Sequence, residues 1–118
     1  MSAKIKNDYG TIFIDDSVLA TVAGLSAMEC YGLVGMSNRS AADGLVELLR
    51  KEHLTRGVKV ETENDSIVIS LYIVVQFGTK ISVVANNIIE KVRYNIENLT
   101  GMKVKKININ VEGVRVQK

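Results

Sequence analysis

Cys30 and His53 are the most reactive side chains in this sequence, and each residue type occurs once. A thiol beside an imidazole makes a nucleophile with its base. One Cys and one His fall short of the four ligands a structural zinc site takes, so no metal or cofactor is expected. Nothing in the spacing forces the two together. A buried thiol and an exposed helix-end imidazole account for them more simply. Paired carboxylates, the usual general acid and base, occur as Asp15 with Asp16 and as Asp43 with Glu47. Asp15-Asp16-Ser17 stands before an apolar run and reads as a helix cap with favourable charge. Asp43 and Glu47 fall on the exposed face of a helix. No catalytic set results, and the reading is of a protein that is not an enzyme.

Gly78-Thr79-Lys80 lies between a strand pattern and a helix pattern, where phosphates bind in other folds. The phosphate loop would need further glycines before Lys80, and Val74 to Gln76 supply none. A strand exit followed by a capping threonine explains the triplet. Gly32 and Gly35 lack dinucleotide-fingerprint spacing and read as a helix stop and a turn. Two basic clusters remain. One is Arg50, Lys51, Arg56 and Lys59; the other is Lys103, Lys105, Lys106, Arg115 and Lys118. If these converged they would make a small nucleic-acid-binding module, which is the alternative reading. Glu52, Glu61, Glu63 and Glu112 are interspersed, so a solvated mixed-charge surface is favoured.

The elements that must position these groups centre on residues 67–99. Ile67, Ile69, Leu71, Ile73, Val75 and Phe77 are apolar at period two. Val68, Tyr72 and Val74 make the other parity half apolar, so this is a strand near the middle of a sheet. After Gly78 the period changes. Ile81, Val84, Ala85, Ile88, Ile89, Val92, Ile96 and Leu99 form one stripe of an amphipathic helix, with Thr79 as N-cap and Gly101 as stop. Earlier, residues 1–8 are polar and read as a flexible N-terminus, and residues 9–14 as a strand. A helix over 17–30 is apolar nearly all round, so it is sandwiched in the domain or covered by another subunit. A short strand over 33–36 and a second helix over 41–52 follow. Val58, Val60 and Thr62 alternate with Lys59, Glu61 and Glu63 in a strand, and Asn64-Asp65 turns into the long one. The last strand covers 104–116, with a bulge at Gly113, where the apolar parity shifts. Two strand–helix–glycine–strand units echo each other, and each reads as a parallel crossover.

The chain has 118 residues, 47% of them hydrophobic, 24% charged and 5% aromatic, with net charge +2. That is enough for one domain, taken as residues 9–118, with an aliphatic core. The small net charge directs it to no polyanion. A lone cysteine fits a reducing cytoplasm. Two lysines near the start have no apolar stretch behind them, so no signal peptide is expected, and no apolar run reaches spanning length. Proline is absent, so turns fall to Gly, Asn and Asp.

Several segments together resemble the alkaline-shock or general-stress family of Gram-positive bacteria, also called envelope stress response proteins. They are Tyr9-Gly10-Thr11-Ile12 with Asp15-Asp16-Ser17-Val18-Leu19, Cys30-Tyr31-Gly32-Leu33-Val34-Gly35-Met36, and Asp43-Gly44-Leu45 through Arg56-Gly57-Val58. Tyr72-Ile73-Val74-Val75, Phe77-Gly78-Thr79-Lys80-Ile81-Ser82 and Val111-Glu112-Gly113-Val114-Arg115 complete the set. The resemblance spans almost the whole chain and is strongest to the short YloU-like subgroup, which lacks the charged extensions of larger members. It implies an abundant cytoplasmic protein, linked with envelope homeostasis and in some members held at the membrane by an anchoring partner. It carries over no catalytic residues.

The expectation is therefore a single α+β domain, a mixed sheet with about three helices in the order β-α-β-α-β-β-α-β. Its expected role is that of a scaffold working through protein–protein contacts and self-association, with the first helix as the interface.

Overall fold

The computed structural model describes residues 2–30, 32–36, 57–63 and 66–116. They form β1 (Ser2–Asn7), β2 (Gly10–Asp15), α1 (Asp16–Met28), β3 (Leu33–Met36), β4 (Val58–Glu63), β5 (Ser66–Gln76), α2 (Ile81–Thr100) and β6 (Lys103–Arg115). The class is α+β as expected, with two helices among the described residues. The helix expected over 41–52 and the Asn64-Asp65 turn lie outside the described residues.

β5 is the central strand. Its burial alternates without a break: Ile67, Ile69, Leu71, Ile73 and Val75 are buried, and their neighbours are half-buried. A strand has two edges. β6 pairs parallel to β5 from Ser66 to Gln76 and takes one of them. β4 pairs antiparallel with Ser66 to Leu71, and β3 antiparallel with Ile73 to Val75. Those two must therefore lie end to end along the other edge. The register puts Val58, Val60 and Thr62 of β4 on the buried face, with Val104, Ile107, Ile109 and Val111 of β6. β6 keeps this up across two irregularities. Val104 faces Ile67 but Lys106 faces Val68, and Val111 faces Ile73 but Gly113 faces Val74. The extra residues are Lys105 and Glu112, so the shift expected beside Gly113 has a counterpart near the strand's start.

Both helices cover the buried face. α2 inserts Val84, Ile88, Val92 and Ile96, a stripe at spacing four. Ile81 and Leu99, expected in that stripe, sit in the first and last turns of the helix and are 43% and 69% exposed. α1 buries Leu19, Ala20, Ala23, Gly24, Ser26 and Ala27. It meets α2 through Asn95 Nδ2, which donates to Ser26 Oγ at 2.7 Å, and through Lys91 with Glu29 at 3.2 Å. At the far end of α2 the Arg93 guanidinium donates to the Val104 carbonyl. The Glu97 carboxylate accepts from the Val104 N–H at 2.9 Å. These two side chains fix the start of β6 against the helix.

The caps divide the expectations. Asp15 caps α1, accepting from the Ser17 N–H at 3.1 Å and from the Ser17 hydroxyl. Gly101 ends α2 with φ +76°, its N–H on the Glu97 carbonyl. Thr79 is not the cap of α2. Its hydroxyl turns back to donate to the Gln76 carbonyl at 2.7 Å, and Lys80 takes the cap position with no side-chain bond.

The chain start also departs from expectation. Residues 2–7 are not loose but form β1, antiparallel to β2 from Ser2 opposite Asp15 to Asn7 opposite Gly10. Ala3 and Ile5 share a parity and meet Ile14 and Ile12 across the ladder, and Ala3 is fully buried. The two apolar residues are too few to announce a strand alone; the partner supplies the rest. Because β2 belongs to this hairpin and β3 runs antiparallel to β5, the β2–α1–β3 unit is no parallel crossover. Only β5–α2–β6 is one.

Gly32 adopts φ +90°, and a Cβ there would stand 2.7 Å from Val84 Cγ2 and 3.2 Å from Thr79 Cγ2. Left-handed strain and overpacking of this stiff contact lower the stability of Gly32→Ala by about 2–4 kcal/mol, measured by urea unfolding. Asp15 supplies the second prediction. Its carboxyl is held below the ordinary 3.8 by the Ser17 hydroxyl, then by the Ser17 N–H. A lowered folded value means stabilisation that is present above the unfolded value and lost as pH falls through the folded one. Asp15→Ala thus melts below the parent at neutral pH, and the gap closes below about pH 4.

Candidate interaction surfaces

The turn from β5 to α2 borders a groove of about 240 Å³, lined by Val75, Gln76, Phe77, Gly78, Thr79, Ile81 and Val114. Gly78 makes the turn at φ +96°. Phe77 was expected in the core, but the strand ends at Gln76 and its ring is 68% exposed. Ile81 and Val114, across the groove, are 43% and 47% exposed. The Thr79 hydroxyl is already spent on Gln76, and Lys80 is exposed and outside the lining. The lining thus offers little to hold a phosphate at the Gly78–Lys80 helix start. Its chemistry suits an apolar side chain.

The second surface is the open face of the sheet. Val68, Ser70, Tyr72 and Val74 of β5 are half-buried there. The register places Lys59 and Glu61 beside them on one side, and Lys106, Asn108, Asn110 and Arg115 on the other. Asn108 Nδ2 donates to Ser70 Oγ and Asn110 Nδ2 to the Leu71 carbonyl, each at 3.4 Å. The C-terminal basic cluster does not converge. Lys106 and Arg115 stand opposite Val68 and Gln76, eight residues apart on β5, which at about 3.3 Å per residue is about 26 Å. Arg50, Lys51, Arg56 and Lys118 lie outside the described residues, as do His53, Asp43 and Glu47.

α1 is only partly open. Val18 and Leu25, one heptad apart, are each 49% exposed, and the rest of the apolar circumference packs inside. Sequence reasoning placed the interface on α1 and did not single out the groove at Phe77. The signal available was the glycine after Phe77, which marks where the strand stops and the last aromatic leaves the sheet.

Cys30 is half-buried near the end of α1, its Sγ 3.7 Å from the Ser26 carbonyl. Burial pushes its thiol above the ordinary 9.0, against the pull of Lys91 and with a push from Glu29. Such a thiol is a weak nucleophile at neutral pH. Among the described residues no group of three or more His, Cys, Asp and Glu could hold a metal ion.

Residues 4–116 match a family described as the ASP23 family, with cell envelope-related function. The chain belongs to the ASP23 family. It is 48% identical over 117 residues to the uncharacterised protein YloU of Bacillus subtilis, covering 98% of each chain. It is 40% identical over 117 residues to the uncharacterised protein Spy1614 of Streptococcus pyogenes, covering 98% of this chain and 97% of that one. The uncharacterised Bacillus subtilis protein YqhY is 35% identical over 106 residues, 90% of this chain and 78% of its own. No solved structure matches the chain. Among the described residues of this ASP23-family chain, no helix is long and apolar enough to cross a membrane.

The raised thiol gives a direct test. Iodoacetamide alkylates Cys30 more slowly in the folded chain at pH 8 than in urea, and the folded rate climbs steeply only above about pH 9.

Proposed function

We propose that this chain is a non-enzymatic scaffold protein acting in cell-envelope homeostasis, working through contacts with other proteins and with copies of itself. Membership of a family with cell envelope-related function supports the setting. One observation carries the mode of action. Phe77, Ile81 and Val114 expose large apolar side chains around a single groove at one end of the sheet. Exposed apolar groups clustered around a concavity are what a protein partner covers, with an aromatic as the anchor. Scattered single residues would carry no such meaning. The chain works in the cytoplasm on this reading, where a lone thiol stays reduced. It reaches the membrane by way of a partner that is anchored there.

Light scattering of the purified chain over a wide concentration range tests the reading. The parent forms dimers or larger species as concentration rises. Phe77→Asp weakens that association by about 30-fold, equivalent to about 2 kcal/mol for losing a central aromatic anchor, and leaves the melting temperature unchanged. A parent that stays monomeric throughout, or a variant that associates equally well, overturns the assignment of this groove to self-contact.

A further inference from the structure

The groove between β1 and the α2–β6 connection has a different chemistry. It measures about 590 Å³ and is lined by Lys4, Ile5, Lys6, Gly101, Met102 and Lys103. That volume falls within the range of about 300–1,000 Å³ usual for clefts that hold a ligand. Of the six described residues that line it, three are lysines. Among the described residues none of the three pairs with a carboxylate.

One wall of the groove is the edge of a strand. Asn7 and Gly10 close a two-residue turn, and such a closing pair exchanges both its hydrogen bonds. Alternation then turns the backbone of Ile5 and Ala3 toward β2, and the N–H and C=O of Lys6 and Lys4 outward. Apart from the β1–β2 ladder, no hydrogen-bond partner meets Lys4 or Lys6 among the described residues. The edge is also straight: β1 pairs with β2 through all six residues without a register shift. β6, by contrast, carries two bulges along its length, the device that spoils an edge for pairing. The side chains complete the pattern. Ala3 and Ile5 point to the core, and Lys4 and Lys6 share the exposed face.

We propose that the edge of β1 left unpaired among the described residues binds an extended acidic peptide, which adds as a third strand of the hairpin sheet and places alternate Asp or Glu side chains against Lys4 and Lys6. Backbone groups of the peptide pair with the outward N–H and C=O groups of Lys4 and Lys6. Lys103, across the groove, supplies a third cation. Such strand addition takes affinity from main-chain bonds and specificity from alternate side chains. A two-stranded hairpin is marginal alone, and a third strand is what it lacks. This site is separate from the groove at Phe77 and does not depend on self-association there.

The test uses the full, nitrogen-15-labelled chain and a fluorescein-labelled heptapeptide of alternating Glu and Thr. Two further versions carry N-methyl groups on one or the other alternate set of residues. The parent binds the unmodified peptide, with amide shifts concentrated at residues 4–6 and 101–103. One N-methylated version loses about tenfold or more in affinity and the other does not, because only one set faces β1. Lys4→Glu with Lys6→Glu loses binding by a similar factor while its far-UV circular dichroism is unchanged. The methylated peptides act on the unaltered chain, so they decide the matter even if that variant fails to fold. Equal binding by all versions means charge alone is recognised and overturns the strand addition. So does efficient competition by inorganic tripolyphosphate or single-stranded DNA, shifts confined to other residues, or no binding at low salt.

Discussion

β5 has both edges paired, and the rest of the molecule is arranged by that constraint. β6 occupies one edge along its whole length, and β4 and β3 divide the other. No edge of β5 is left for the β1–β2 hairpin, which forms a two-stranded sheet of its own. The buried parity of β5 then dictates where the helices go. Five consecutive odd-numbered side chains from Ile67 to Val75 need an apolar cover, and α2 supplies it with four residues at matching rise. α1 lies beside α2 and is tied to it by the buried Ser26 hydroxyl, which donates to the Val22 carbonyl and accepts from Asn95. A hydroxyl at 2% exposure is tolerable only because both bonds are made.

What the sequence made legible follows from the same constraint. Strict alternation from Ile67 to Val75 and the change to a helical period after Gly78 are local signals. They hold because the core they face is continuous. The caps at Asp15 and Gly101 were legible for the same reason: each meets the helix's own backbone. Thr79 failed as a cap because the preceding carbonyl, on Gln76, was nearer to hand than the helix N–H groups. β1 was illegible because its evidence is non-local. Ala3 and Ile5 mean little until Ile12 and Ile14 stand opposite them. The bulge at Lys105 hid behind a run of lysines, where no apolar parity could show the slip, whereas Val111 and Val114 made the second one visible.

The candidate surfaces were less legible than the fold, for a physical reason. Burial leaves a periodic trace in sequence; the place where burial stops does not. Phe77 continues the period of β5 and yet is exposed, because the ladder ends one residue before it. Its N–H makes the last bond to β6, on the Arg115 carbonyl at 2.8 Å, and the chain then turns away at Gly78. Val114 reaches the same groove only because the bulge at Glu112 restores it to the helix side. An apolar residue on the wrong side of a strand's end is thus a product of topology. The polar sheet face and the split basic cluster are likewise consequences of register rather than of composition.

The two grooves lie on parts of the molecule with unlike support, and this bears on what each can recognise. The Phe77 groove sits where β5, β6 and the start of α2 meet, all of them rooted in the main core. A rigid apolar concavity selects by shape. The β1 groove has one wall on the main core, at Met102, and one on a hairpin joined to it through Ala3, Ile5 and Ile14. Residues 7–13 of that hairpin are all exposed. Elements with so few buried contacts belong to the low end of local stability, and a ligand that orders them gains by bridging the two walls. Recognition there comes from main-chain pairing and charge, which tolerate motion better than a close-packed pocket does. A protein whose core is fully committed to packing can in this way present two kinds of contact without giving up any part of that core.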